Sequence, residues 1–258
     1  MRRIQKRMQM LAIVSYSDYS NYLKENSEEF NYLFSLIEIN FTSFFRDAQV
    51  WDYIATQVIP HIIASKSEQE PIRIWSAGCA SGEETYSLAI LLAEALGIEE
   101  FQARVKIFAT DVDNDALQQA RMGKYSFNTV ASIPPTRLNN YFKQADNCYV
   151  FHKHLKHKII FSQHNLFVDA PMSKIDLLVC RNVLIYLDTE AQSRALARFY
   201  FSLMGSGFLC LGRAEMLPIK SIPLFTLTNP QNHIFTKVPK QNLDQYLLHQ
   251  PLGQLALN

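Results

Sequence analysis

The sequence predicts an α/β fold, a doubly wound parallel sheet with helices on both faces, preceded by a small helical domain. Three observations predict it. From residue 72 onward, short apolar runs alternate with helical stretches, as expected of parallel strands joined by crossover helices. The first run, Ile72–Ser76, leads into the small-residue turn Ala77-Gly78-Cys79-Ala80-Ser81-Gly82 and then into a strongly apolar helix. The first 65 residues lack Gly, hold only Pro60 as a breaker, and carry apolar residues three and four apart.

Taken in order, the helical segments fall around 1–12, 17–26, 28–38 and 43–63, with Ser17–Asp18 and Asn26–Ser27 as caps or breaks. The polar stretch Lys66–Pro71 (KSEQEP) ends in proline and reads as a linker, so the helical domain is expected over 1–65 with a linker to about 71. After the first strand, a helix runs from about Glu83 to Leu96 and stops at Gly97 as its C-cap. Val105–Thr110 is the second strand and ends at Asp111, and Asp115–Arg121 is a helix closed by Gly123. Further strands are expected at Lys158–Ser162, Ile175–Cys180, Phe208–Gly212 and His233–Val238, with helices over 135–143 and 188–204. The last strand arrives after a long proline-containing connection and is expected to add antiparallel. The segment 146–161 (DNCYVFHKHLKHKIIF) alternates and reads as a small β subdomain within a catalytic domain of 72–240. Residues 241–258 form a tail, either a loosely held helix or a linker.

Composition narrows the function. Apolar residues are 48% and aromatics 12%, enough for a sizeable core. Twenty-five Lys+Arg balance 24 Asp+Glu, so no nucleic-acid partner is expected. No apolar run approaches the roughly 18–20 residues that span a bilayer, so no stable membrane insertion is expected. The basic start (Arg2, Arg3, Lys6, Arg7) reads as a cationic first helix. The cysteines at 79, 148, 180 and 210 form no CxxC pair, which suits free thiols in a cytoplasmic protein. His152, His154 and His157 lack the carboxylate or cysteine partners of a metal set, so no metal site is expected.

The chemistry-bearing positions lie at the expected carboxyl ends of strands, where such sheets bind ligands. The turn around Gly78 offers backbone N–H groups but lacks GK[ST] and the Gly-x-Gly-x-x-Gly spacing, so neither a triphosphate nor a dinucleotide site is supported. Glu83 and Glu84 at the helix start repel phosphate and welcome an ammonium. The alternative is that Ser81-x-x-Glu84 is a capping box, and the two readings are compatible, with Glu83 free for a ligand. Asp111 suits a ribose diol; its alternative is the N-cap of the helix in DVDND. Together Glu83 and Asp111 suit a ligand with an amino group, a ribose and no phosphate, groups that S-adenosylmethionine has. The peptide Asn40-Phe41-Thr42-Ser43-Phe44-Phe45-Arg46-Asp47 reads on spacing alone as a helix start capped by Thr42 or Ser43. Arg181, Asn182 and Tyr186 follow the apolar strand IDLLVC and either face a pocket or form a tight turn with Tyr186 packed inside.

INFTSFFRD (39–47), IWSAGCASGEETYSLAI (74–90), IFATDVDNDALQQAR (107–121), HNLF (164–167) and VCRNVLIYLD (179–188) resemble, in that order, the motifs of CheR-type chemotaxis receptor methyltransferases. The resemblance spans about 1–240. It implies a class I methyltransferase fold, Rossmann-like with an antiparallel last strand, plus a helical N-terminal domain and a β subdomain. It implies S-adenosylmethionine as cofactor, S-adenosylhomocysteine as product, and methylation of glutamate side chains on receptor cytoplasmic domains or related signalling proteins. Carried over by residue, it places Asn40, Thr42 and Arg46 near the cofactor and reacting centre, Glu83 on the amino group and Asp111 on the ribose. Asn165 and Leu166 border the adenine, Gly78 belongs to the cofactor turn, and Arg181, Asn182 and Tyr186 close the site. Arg46 and Tyr186 are the expected catalytic pair, steering the incoming carboxylate, with Arg46 linking the helical domain to the catalytic one.

Three departures from the family stand out. The first helix of the usual helical domain is missing before RRIQKRMQ, implying an excised or shortened member. The 144–158 segment is short and lacks Gly, so no docking of a receptor C-terminal peptide is expected. Thr85 replaces the proline often found after the paired glutamates, a harmless change at a helix start. The competing reading is a non-catalytic module that binds S-adenosylmethionine or S-adenosylhomocysteine as a sensor or scaffold.

Overall fold

The computed structural model describes residues 2–26, 28, 29, 33 and 42–239. The chain divides into two compact units, Met1–Phe41 and Thr42–Asn258. In the first, α1 (Arg2–Met10) and α2 (Tyr16–Glu25) form where the spacing predicts helices. Ser15 caps α2 by accepting the Ser17 N–H (3.1 Å). Among the described residues of this unit, Met8, Tyr19 and Leu33 form a buried apolar cluster. Arg7 donates to both oxygens of Glu29 (2.9 and 2.6 Å), and the Tyr19 hydroxyl donates to the same carboxylate (2.8 Å). Most of the expected helix over 28–38, all of the tail, and Asn40 lie outside the described residues.

The second unit is built on a seven-stranded sheet of order β6-β2-β1-β7-β8-β10-β9. Its strands are β1 (Ile72–Ala77), β2 (Val105–Asp111), β6 (Ile159–Gln163), β7 (Ile175–Cys180), β8 (Leu203–Leu211), β9 (Phe225–Asn229) and β10 (Ile234–Lys237). β1 lies parallel to β2 from Ile72↔Val105 to Ala77↔Thr110, and parallel to β7 through Ile74↔Leu177. β10 pairs antiparallel with β8 (Ile234↔Cys210) and with β9, as the connection length predicts; β9 itself was not foreseen. β1 and β7 are rich in apolar residues, each with one charged residue near its amino end, because both of their faces are largely covered. Ile74, Leu177 and Val179 enter one core, while Trp75, Leu178 and Cys180 enter the other. Strand order reverses beside β1, and in sheets of this kind ligands bind at the carboxyl ends of the strands flanking such a reversal, here β1, β2 and β7.

Helix α5 (Glu83–Leu96) is buried on every side over its first three turns, which explains an apolar sequence without a polar face. Gly97 is its C-cap, and a short helix not foreseen, α6 (Ile98–Arg104), follows at once. The stretch expected as the last helix of the N-terminal domain belongs to the second unit. It forms α3 (Ala48–Tyr53), a π-helical turn (Ile54–Val58) and α4 (Ile59–Ala64). Val50, Trp51, Ile54, Val58, Ile59 and Ile62 share one core with Ile72, Ile74 and Leu177. Burying each large apolar side chain contributes about 1.5–3 kcal/mol, so this stripe docks firmly on the sheet. The polar stretch read as a linker is tied down at both ends. Lys66 donates to the Pro71 carbonyl (2.9 Å), and Arg104 donates to the carbonyls of Ser67 (2.9 Å) and Glu70 (3.0 Å).

The small β sheet differs in extent from the expected 146–161. It is β3 (Lys124–Tyr125), β4 (Phe142–Ala145) and β5 (Cys148–Phe151), ordered β3-β5-β4 and antiparallel. Asp146 and Asn147 make the two-residue hairpin turn. The alternation breaks at His152-Lys153-His154, where Lys153–Lys156 turns helical, and 159–163 joins the main sheet instead. Among the described residues no helix is long and apolar enough to cross a membrane.

Candidate active site

The turn after β1 is anchored to β2. Gly78 and Cys79 both donate their N–H to the Thr110 carbonyl (2.7 and 3.0 Å). Gly78 has φ +75°, and a Cβ there would lie 2.3 Å from Val183 Cγ2, so only glycine fits. Helix α5 is capped at Gly82 rather than Ser81, and the expected capping box does not form. Ser81 Oγ donates instead to Glu83 Oε2 (2.7 Å). Glu84 turns inward, accepting from Ser76 Oγ (3.1 Å) and standing 3.6 Å from Arg181 Nη1. Burial raises the Glu83 carboxyl above the ordinary carboxylate range, opposed by the Ser81 bond. Burial pushes Glu84 up to about 7, with Arg181 and Arg46 opposing.

Asp111 closes β2 and receives two backbone donors. Ala80 N–H reaches Oδ2 (2.7 Å) and Asp113 N–H reaches Oδ1 (3.0 Å). It is not the helix cap; Asp113 fills that position, accepting from Asp115 and Ala116 at the start of the helix Asn114–Met122. Burial raises the Asp111 carboxyl, and its backbone bonds oppose the shift. His164 donates its N–H to the Asp111 carbonyl (2.9 Å), which brings the peptide after β6 to the same edge. There Asn165 Oδ1 accepts from Phe167 N–H (2.9 Å), and Leu166 is buried.

The segment 42–47 is not a capped helix start. Phe45 (φ +52°) and Asp47 (φ +62°) both adopt the left-handed region, and α3 begins only after Asp47. Several contacts hold this conformation. Phe44 is buried edge-on to Tyr125 and Phe142, with centroids 4.9 and 5.4 Å away. Phe45 N–H donates to Ser87 Oγ (3.0 Å), and Trp51 Nε1 donates to the Arg46 carbonyl (2.7 Å). Arg181 Nη2 donates to the same carbonyl (3.0 Å) and to Asp47 Oδ2, and its guanidinium lies over Trp51. Thr42 is half-buried at the start of this segment. Arg46 thus belongs to the second unit.

β7 delivers Arg181 and Asn182 to the carboxyl edge of the sheet. Arg181 is buried, and its Nε has no hydrogen-bond partner among the described residues. Asn182 has φ +61°, a conformation that asparagine tolerates better than most residues. Tyr186 sits in a 3-10 turn (Leu184–Tyr186) with its side chain 55% exposed, so it is not packed inside. A residue the sequence reading missed, Glu215, receives the N–H groups of Asn182, Val183 and Leu184 at 2.7–3.0 Å. The signal was available, because Glu215 stands four residues past the end of the apolar β8, as Asp111 stands at the end of β2.

Glycine turn, paired carboxylates and arginine cluster thus meet along one edge. Asp111 binds the Ala80 backbone, Arg181 reaches Glu84 and the 46–47 backbone and carboxylate, and Val183 packs on Gly78. Such an arrangement can hold an amine and hydroxyls at its carboxylates and steer an anion at its arginines. Among the described residues no group of three or more His, Cys, Asp or Glu is placed to hold a metal ion.

Comparison with known proteins gives a consistent picture. Residues 40–234 match the family model for the SAM binding domain of CheR methyltransferases, and residues 1–37 match the model for the all-alpha domain of the same family. A chemotaxis protein methyltransferase of Listeria innocua is 32% identical over 79% of this chain and 76% of its own length. Chemotaxis protein methyltransferase 2 of Vibrio cholerae is 33% identical over 84% of this chain and 76% of its own. An uncharacterized 104.1 kDa protein of Rhodobacter capsulatus is 36% identical over 84% of this chain, which spans only 23% of that protein.

Proposed function

The chain belongs to the CheR methyltransferase family, and from that premise we propose that it methylates glutamate side chains of chemotaxis receptors in the cytoplasm, yielding methyl esters. When bound, S-adenosylmethionine supplies a methyl group on a positively charged sulfur, ready for displacement. The residues present fit it. Glu83 is buried, and its Oε2 accepts from the Ser81 hydroxyl; its carboxylate suits an ammonium. Asp111 suits a diol, Asn165 and Leu166 border the adenine beside it, and Gly78 shapes the turn, packed closely by Val183. Thr42, Arg181 and Asn182 complete the surround, with the orphaned Arg181 Nε aimed at no protein partner among the described residues.

The chain's own part in the reaction is alignment. The acceptor glutamate has a reference pKa of about 4.3, so it arrives ionised and needs no general base. Arg46 and Tyr186 hold and orient that carboxylate, the one by a charge-assisted fork and the other by its hydroxyl. Holding reactants in near-attack geometry is worth several kcal/mol, up to about 7–11 in ideal cases. Excluding water helps further, because opposite charges are neutralised as the methyl moves.

The observation that carries this reading is the convergence of Asp111, Glu84, Arg181 and the 46–47 backbone on one sheet edge. The test offers methyl-labelled S-adenosylmethionine and receptor cytoplasmic domains to the protein. Label transferred to the receptor and released as methanol by mild base is the expected result. Base-resistant label, or none, overturns it.

A further inference from the structure

Glu215 has no part in the reaction as derived above, yet it is only 3% exposed and lies beside the site. Its Oε2 accepts from Gly212 N–H (2.5 Å) and Asn182 N–H (3.0 Å). Its Oε1 accepts from Val183 N–H (2.8 Å) and Leu184 N–H (2.7 Å). Four backbone donors from two chain segments thus converge on one carboxylate, an anion nest filled by the protein's own side chain. A Cβ on Gly212 would lie 2.8 Å from Glu215 Oε2, 2.9 Å from Asn182 N and 3.1 Å from Asn182 Nδ2, so the nest closes only around glycine. The Glu215 carbonyl is engaged in turn by His233 Nδ1 (2.7 Å) at the start of β10. The segment held in this way contains left-handed Asn182, Val183 packed on the Gly78 turn, and the 3-10 turn that bears Tyr186.

We propose that Glu215 is a positioning residue for the methyl-transfer site. It touches neither cofactor nor substrate. Its carboxylate pins the backbone leaving β7 against the glycine turn leaving β1, and so sets where Asn182 and Tyr186 stand. This rests on the reading that the 181–186 segment closes over the cofactor.

Calorimetric titration of the full chain with S-adenosylhomocysteine tests both ideas separately. Glu215→Gln places an amide donor against backbone donors and unsatisfies two of them. It is expected to weaken binding about tenfold, while every folded molecule still binds one ligand. Gly212→Ala, which crowds the same nest while keeping the carboxylate, is expected to weaken binding in the same direction. The double variant Glu215→Gln/Asn182→Ala should bind no more weakly than Asn182→Ala alone, because both act through one segment. A purely structural role shows instead as fewer binding-competent molecules with wild-type affinity, and overturns the proposal. Wild-type affinity in Glu215→Gln, with Asn182→Ala weakened, overturns the proposal and leaves the cleft reading standing. Wild-type affinity in Asn182→Ala, or no binding by the wild type, sinks the cleft reading itself and the proposal with it.

Discussion

Glu84 carries a carboxyl where the chain can least accommodate a charge, and its neighbours only partly offset the loss of water. Its value in the folded protein, about 7, lies above that of the unfolded chain. Folding therefore favours the protonated form. That contribution is fully present below the ordinary carboxylate value and is lost as pH rises through about 7. Thermal melts across this window should show the melting temperature of Glu84→Gln falling less with pH than that of the wild type; parallel curves would contradict the assignment. At the proposed ligand contacts, Asp111→Ala should weaken S-adenosylhomocysteine about tenfold or more by calorimetry, since the Ala80 and Asp113 N–H groups lose their acceptor as well as the ribose its partner. Arg46→Ala should lower kcat/KM for a receptor domain about a hundredfold, the scale of a misplaced reactant. Turnover at the wild-type rate would remove Arg46 from the catalytic pair.

The element that places Arg46 is a short segment with two left-handed residues, and such backbone persists only where its surroundings over-determine it. Ser87, one turn into α5, accepts the Phe45 N–H while donating to the Glu83 carbonyl (2.8 Å), so one hydroxyl ties the segment to the helix that presents Glu83. Ser87→Ala is expected to cost about 1 kcal/mol in urea unfolding and to lower turnover by more than that loss of stability accounts for. Unchanged turnover would mean that the aromatic anchors alone hold the segment. The same logic explains why the helix-start reading failed. Thr42 and Ser43 have the chemistry of caps, but Phe44 is drawn into the Tyr125 and Phe142 cluster, and the chain must bend to put it there.

Across the molecule, the two edges of the main sheet have different tasks. Near the amino end of β7, buried Asp176 accepts from the Arg73 N–H (2.8 Å) and pairs with Lys66 (3.0 Å), on the edge away from the cofactor turn. Asp176→Ala removes the carboxylate that pairs with Lys66 and leaves the Arg73 N–H without its acceptor, and should cost about 3 kcal/mol in chemical denaturation, with S-adenosylhomocysteine affinity retained. Loss of affinity equal to that of Asp111→Ala would show that the edges are coupled. The charged residue inside IDLLVC is thus a clasp for the stretch after α4, which explains why a segment with the composition of a linker is held in place.

Local pattern sufficed for much of this protein. Runs rich in apolar residues marked β1, β2 and β7, because strands largely covered on both faces have little polar side to show. Gly97 and Gly123 marked helix ends, and Glu83, Asp111 and Arg181 were legible as residues at the carboxyl edge of the sheet because each comes after a buried strand. Only tertiary structure decided which apolar face covers which. It assigned the 48–64 helices to the sheet rather than to the N-terminal unit, turned Glu84 inward, and recruited Glu215, thirty-three residues from Asn182, to hold the site's backbone. The physical reason is that periodicity specifies an element and its sticky side, whereas a buried carboxylate is defined by donors that arrive from distant parts of the chain.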